Sequence, residues 1–342
     1  MNKTGFLLGK FMPLHNGHVY LVEFAKAYCD HLVILVASMP NEPIPGKLRY
    51  EWMKKMFNSE SCTVIWTDEI LPQEPKDEND HEFWKIWADE IKKAMYAAHR
   101  SYWDTPTHVF ASEEYGHKLA ASVGAEFVPV DMARTMHKIS GTKCRRNIFT
   151  NWKHLPQVVR SHYSKRITVF GPESTGKSTL IKNLGKSFKD NIVVPEYGRV
   201  YTETFGADVD QDDIQKIVQG HQASVNAAKS FGRKLIFEDT DPLMSMVWSD
   251  MLTGSHDSWF DNFNDYPDLY LLCKPDIPWV DDGTRYFPDQ KDRDRFFNLC
   301  KQILDDRKVN YAVIDGLSYH HRWRLAAEHI HSLMKDMKDG TY

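Results

Sequence analysis

The run Gly171-Pro172-Glu173-Ser174-Thr175-Gly176-Lys177-Ser178 restricts the possible folds more than any other stretch of the chain. It fits G-x-x-x-x-G-K-[ST]. The apolar run Ile167-Thr168-Val169-Phe170 precedes it, and an amphipathic segment begins near Lys177. Strand, glycine loop and helix in that order are what a phosphate-binding loop requires. Backbone N–H groups and the positive helix end surround a polyphosphate there. Lys177 reaches the β/γ-phosphates and the Ser178 hydroxyl ligates Mg²⁺, with ATP as the phosphate donor. Gly171, Glu173, Ser174, Thr175, Gly176 and Thr179 complete the nucleotide-binding set. A chance Gly/Ser-rich turn is the bland alternative, and the matching flanks count against it. The loop's position is the odd part. Such a loop normally opens its domain, yet about half of the chain precedes it.

A chain of 342 residues has room for two domains with a core each. Hydrophobic residues make up 42% and charged residues 26%, which excludes wholesale disorder. The net charge of −4 gives no global basic bias toward nucleic acid. Five scattered cysteines without a C-x-x-C fit free thiols in a reducing cytosol better than disulfides or zinc. No apolar run is long enough for a signal peptide or a membrane span. The reading is a cytoplasmic, soluble protein, with a homo-oligomer left open.

Apolar strands alternate with helical spacing along both halves. In the first, strands at 5–9, 32–36, 63–66, 108–110 and 127–130 are separated by helices, and residues 151–165 read as a closing helix plus linker. In the second, strands at 166–170, 192–194, 235–237, 269–272 and 312–314 alternate with helices from Lys177, 212–231, 243–252, up to Arg307, and at the C-terminus. The fold class expected is α/β: two doubly wound parallel-sheet domains, with boundaries at 1–160 and 166–342.

The first half carries two further motifs. His15-Asn16-Gly17-His18 sets two imidazoles three residues apart where a helix starts, after the first strand. They suit phosphate oxygens; a solvated turn or half of a metal site are the alternatives, the latter without a third ligand by spacing. Ile139-Ser140-Gly141-Thr142-Lys143-Cys144-Arg145-Arg146 follows the fifth strand. Its cations at a helix start make sense opposite an anion; a solvated basic turn is the bland reading.

Together, H-x-G-H and, about 120 residues later, I-S-x-T-x-x-R resemble the nucleotidyltransferase superfamily, and more closely nicotinamide mononucleotide adenylyltransferase domains. The resemblance implies a Rossmann-like domain in which His15 and His18 contact ATP phosphates and Ser140, Thr142 and Arg145 grip the β- and γ-phosphates. Gly9 and Phe11 join this ATP-binding set. His18 is the residue implied to stabilise charge at the α-phosphate. Trp84 and Trp87 read first as core packing, with stacking on nicotinamide as the alternative.

In the second half, Leu235-Ile236-Phe237-Glu238-Asp239-Thr240-Asp241 is a Walker-B-like strand ending in carboxylates, so Asp239 and Asp241 are candidates for Mg²⁺. Glu196, at the end of another strand, is a candidate base for a substrate hydroxyl, with Asp239 next. Residues 279–294 have the character of a lid whose Arg285 and Arg293 fold over the phosphoryl group, or equally of a salt-bridged exposed helix. No N-K-x-D guanine signature occurs. The whole combination, with P-E-Y-G-R, D-T-D and W-V-D-D-G-x-R, resembles the bifunctional NadR family, which joins that adenylyltransferase to ribosylnicotinamide kinase.

The resemblance implies Glu196, Tyr197, Asp241, Trp279 and Asp281 as riboside contacts, Ser178 and Asp239 at Mg²⁺, and His18, Lys177, Glu196 and Asp239 as the catalytic set. Implied small-molecule partners are ATP, nicotinamide riboside, nicotinamide mononucleotide and NAD. Some family members carry an N-terminal helix-turn-helix module; here the first strand starts within about five residues of Met1, so DNA binding is not expected. A kinase with an NAD-sensing first domain, or a related pair acting on another base, stays open.

Overall fold

Leu32, Val33, Ile34, Leu35 and Val36 are all fully buried. A run apolar on both faces belongs in a parallel sheet covered by helices on both sides, and the computed structural model contains two such sheets. It describes residues 3–77, 80–99, 105–206, 208–280 and 286–336. Among these the chain divides into two units, parting between Val159 and Arg160.

The first stretch runs β1 (Thr4–Gly9), α1 (Asn16–Tyr28), β2 (His31–Ala37), α2 (Gly46–Phe57), β3 (Cys62–Thr67) and α3 (His81–His99). It continues with β4 (His108–Ala111), α4 (Tyr115–Ser122), β5 (Glu126–Pro129), α5 (Gly141–Arg146) and α6 (Gln157–Tyr163). The sheet order is β3-β2-β1-β4-β5, all parallel. The winding therefore switches sides between β1 and β4, and such a switch point opens a crevice at the carboxyl ends of those strands. The closing helix expected over 151–165 is broken. A 3-10 turn at Trp152–His154 precedes α6, with Pro156 between them, and the residue before a proline avoids the helical region.

The second stretch runs β6 (Lys165–Phe170), α7 (Lys177–Ser187), β7 (Asn191–Val194), α8 (Tyr197–Phe205), α9 (Gln211–Ser230), β8 (Leu235–Asp239) and α10 (Pro242–Thr253). Then come β9 (Leu269–Cys273), α11 (Gln290–Asp306), β10 (Tyr311–Ile314) and α12 (Tyr319–Asp336). The order β10-β9-β6-β8-β7 puts β6 at the centre of a second parallel sheet. Helix α8 was not read from the sequence. Tyr197, Val200, Tyr201 and Phe205 stand at helical spacing, but the helix is short and buries no residue fully, and the Tyr197 ring packs it against α9. A Cβ on Gly220 would lie 2.0 Å from that ring; only glycine lets the two helices meet there.

One face of the second sheet is polar where apolar residues would be expected. Arg166 donates to Glu238 through Nε and Nη2, at 2.5 and 3.0 Å, and to Asp265 Oδ1 at 2.9 Å. Thr168 Oγ1 donates to the same Glu238 carboxylate at 3.2 Å, and Glu238 is fully buried. Removing one partner of a buried ion pair leaves the other charge desolvated and under-satisfied. Glu238→Ala is therefore expected to destabilise this unit by about 3 kcal/mol, read as a lowered urea midpoint. An unchanged midpoint would show that Asp265 alone satisfies Arg166.

Candidate functional site

Two sites form where the parallel strands end. In the first unit the turn after β1 carries His15, the N-cap of α1, and His18, three residues into the helix. Each ring Nδ1 accepts the other residue's backbone N–H at 3.4 Å, and the rings stack with centroids 3.7 Å apart. Using Nδ1 as acceptor leaves each Nε2 protonated in the neutral ring, hence a donor. Phe11 is buried edge-on to His18, with centroids 5.1 Å apart.

The I-S-x-T-x-x-R motif meets this turn through Arg145. Its guanidinium donates to the Met12 carbonyl and, at 3.3 Å, to Thr142 Oγ1. Ser140 caps α5 by accepting the Lys143 N–H at 3.3 Å. Gly9, Phe11, His15, His18, Ser140, Thr142 and Arg145 all line one cleft of about 1140 Å³. Trp84 and Trp87 line it too. Trp87 is buried and donates Nε1 to the Pro72 carbonyl at 3.0 Å, whereas the buried Trp84 Nε1 has no partner.

Sequence reading missed Arg134. It follows β5 and lines the same cleft, with Nη2 2.8 Å from Glu113 Oε1. Its position just past a strand's carboxyl end is the only signal, and no motif spacing marks it. Burial lowers His15 to about 4, with repulsion from Arg134, His137 and His154 adding to it. Burial, His15 and Arg134 hold His18 well below its ordinary value. Both rings are neutral near pH 7 and face cationic surroundings, an arrangement that a polyphosphate would relieve.

In the second unit Gly171 starts the loop at φ +129, and a Cβ there would lie 2.6 Å from the Cys273 carbonyl. Gly176 caps α7. Lys177 Nζ donates to the Gly171 and Pro172 carbonyls at 2.8 and 2.7 Å. Several loop side chains brace the loop itself, leaving the backbone to face a ligand. Thr175 Oγ1 donates to Pro172 O, Ser174 Oγ accepts the Val280 N–H, and Glu173 accepts the N–H groups of Tyr286 and Phe287. Thr179 is exposed on the first turn of α7.

Ser178 Oγ donates to Asp239 Oδ2 at 3.0 Å, while the buried Asp239 Oδ1 has no partner. An orphaned carboxylate oxygen beside a hydroxyl fits a hard, oxygen-seeking cation such as Mg²⁺. Among the described residues no group of three or more His, Cys, Asp or Glu could cage a metal. Glu196, the N-cap of α8, is about a third exposed and 3.7 Å from Arg199. Burial and then the Asp239 charge raise its pKa, against the pull of Lys177 and Arg199. A carboxylate so raised is a better proton acceptor.

Other expected residues are placed differently. Asp241 is a buried N-cap of α10. Its oxygens accept the Met244 N–H and the Tyr270 hydroxyl, and burial first of all raises its pKa to about 6. Arg293 does not belong to a lid. It is 2% exposed on α11 and donates to the Ile277 carbonyl at 3.0 Å. The alternation of Asp and Arg hid an inward-facing position among solvated ones. Trp279 is half-buried, with a buried Nε1 that has no partner. Asp281 and Arg285 lie outside the described residues.

Residues 6–147 match the cytidylyltransferase-like family, and residues 166–322 match an AAA domain family. The trifunctional NAD biosynthesis/regulator protein NadR of Escherichia coli is 28% identical over 98% of this chain and 84% of its own length. The protein of the same name from Salmonella typhimurium is 28% identical over 96% of this chain and 83% of its own. The chain is a homologue of NadR. Among solved structures, a NadR protein in complex with NR superposes with a TM-score of 0.75 at 21% identity, covering 98% of this chain and 96% of that one. A NadR protein in complex with NAD and AMP-PNP gives 0.74 at 22% identity, covering 96% of each. These two confirm the fold, two parallel five-stranded sheets. Among the described residues no helix is long and apolar enough to cross a membrane.

Because His15 titrates near 4 in the fold and near 6.5 when unfolded, the unfolded chain binds more protons between those values. Its contribution to stability is complete above pH 6.5 and lost as pH falls toward 4. Thermal melting should drop from about pH 7 to about pH 5, and less steeply in His15→Asn, which keeps a good capping residue. Parallel slopes in the two proteins would show that His15 ionises normally in the fold.

Proposed function

We infer that this chain makes NAD from nicotinamide riboside in two ATP-dependent steps. The domain at 166–342 phosphorylates the riboside to nicotinamide mononucleotide. The domain at 1–160 transfers the adenylyl group of a second ATP to that mononucleotide, giving NAD and pyrophosphate. The observation that carries this is the pairing, in one homologue of NadR, of an H-x-G-H cleft closed by Arg145 with a phosphate loop facing Asp239 and Glu196. Location in the cytoplasm is part of the same reading.

In the kinase step Glu196 takes the proton of the riboside 5′-hydroxyl as its oxygen attacks the γ-phosphorus, and ADP leaves. Lys177 and the loop N–H groups neutralise phosphate charge. Asp239 and Ser178 would hold Mg²⁺, which draws charge from the phosphate oxygens when bound. In the adenylyl step the mononucleotide phosphate attacks the α-phosphorus in line and pyrophosphate leaves, with no enzyme nucleophile. The Nε2–H groups of His15 and His18, with Ser140, Thr142 and Arg145, hold the phosphates and stabilise the developing charge.

Lys177→Ala should lower riboside phosphorylation at least about 100-fold and leave adenylyl transfer intact, and His18→Ala the reverse. Chromatography of ADP, mononucleotide, NAD and pyrophosphate reads both steps. Loss of both activities from either change would sink the two-site assignment, and tight NAD binding without adenylyl turnover would make the first domain a sensor. Separately, Glu196→Gln should cut the kinase kcat about 100-fold or more at nearly constant KM for ATP. A kcat near wild type would pass the role of base to another group.

A further inference from the structure

We propose that Arg322 is a positioning residue of the kinase site, acting on ATP through the backbone of the phosphate loop; this rests on reading that loop as the ATP site. Arg322 sits one turn into α12, 2% exposed. Its guanidinium is spent on three separate segments. Nε donates to the Gly316 carbonyl at 2.6 Å, Nη1 to the Thr175 carbonyl at 2.9 Å, and Nη2 to the Lys274 carbonyl at 2.7 Å and to the Asp276 carboxylate. Asp276 in turn accepts the Gly316 N–H at 2.7 Å.

The contact to Thr175 carries the inference. A trans peptide is planar, with C=O and N–H pointing in opposite directions. Holding the Thr175 carbonyl on a buried guanidinium therefore aims the Gly176 N–H away from Arg322. In a phosphate loop the opposite side is where the anion sits. A cation bonded to the carbonyl also polarises that peptide and strengthens its N–H as a donor. Arg293 makes a second, longer contact of the same kind, with Nη2 3.4 Å from the Ser174 carbonyl, the oxygen of the adjacent peptide. Two buried guanidinium groups thus stand behind consecutive peptides of the loop. Neither reaches the nucleotide in this role.

A plain folding staple would predict something else. Its loss lowers stability and the fraction of active enzyme, which changes apparent kcat and leaves KM for ATP alone. Loss of aimed donors weakens ATP in ground and transition state alike, which raises KM and spares kcat. The test is steady-state riboside phosphorylation by the full chain carrying Arg322→Lys, which keeps the charge and loses the planar fork. KM for Mg-ATP should rise about tenfold, with kcat and KM for the riboside within about twofold of wild type. A wild-type KM for ATP overturns the proposal.

Should Arg322→Lys not fold, Asp276→Asn loosens the same guanidinium and should raise KM for ATP about threefold; an unchanged value there overturns it equally. If the wild-type chain does not phosphorylate the riboside, the functional reading fails on its own. The positioning role is then read by calorimetry with Mg-AMP-PNP, the loop's component being the part that Lys177→Ala removes. A several-fold weakening of that component in Arg322→Lys supports the role, and an unchanged affinity overturns it.

Discussion

Parallel pairing obliges the chain to cross over after every strand, and the rest of this structure depends on that constraint. Each crossover delivers a strand's carboxyl end and the following helix's amino end to the same edge of the sheet. Anions are favoured at that edge by exposed N–H groups and by the helix dipole. Both units use it. The turn between β1 and α1 holds the two histidines, and the turn between β6 and α7 holds the phosphate loop. Residues remote in sequence then gather by topology alone. Arg145 reaches Met12 and Asp239 reaches Ser178 because the loops after their strands open on the same side as the loops they meet.

The two sites prepare for phosphate by different electrostatic means. In the first unit, desolvation and the Arg134 charge keep the His15 and His18 imidazoles neutral, so the site presents hydrogen-bond donors with only part of its charge expressed. In the second, the Lys177 charge pulls on Glu196, while partial desolvation and the Asp239 charge oppose its ionisation. One arrangement suits holding a leaving pyrophosphate. The other suits a proton acceptor placed near a transferred phosphoryl group.

Most of the fold was legible because its signals are local. Buried parallel strands are unbroken apolar runs, and the strands of both sheets were read to within a residue or two at most of their ends. The phosphate loop and the two histidines were legible because their chemistry fixes their spacing. What escaped depends on tertiary contact. Helix α8 carries apolar residues at helical spacing over only nine residues, and the fit of Tyr197 against Gly220 that packs it on α9 is not visible in that pattern. Arg293 looked like an exposed lid residue because its neighbours are charged, yet its guanidinium is drawn inward by carbonyls. Arg134 belongs to its cleft through the path of a loop, which composition does not encode. Asp241, a ligand candidate by sequence, caps α10 in the fold, a role that the same carboxylate chemistry serves equally well.

The reciprocal cap of His15 and His18 sets charge against the side-chain part of the helix start, beside the His18 and Val19 N–H groups that donate to the His15 carbonyl at 2.8 and 3.1 Å. Serine or threonine in that position keeps its acceptor at every pH. An imidazole keeps Nδ1 as an acceptor only while it is uncharged. A proton on that atom would strengthen attraction for phosphate and at the same moment abolish one of the side-chain bonds at the first turn of α1. An anion in this cleft would therefore meet neutral imidazole donors, and strong cationic grip would have to come from arginines that carry no part of the cap.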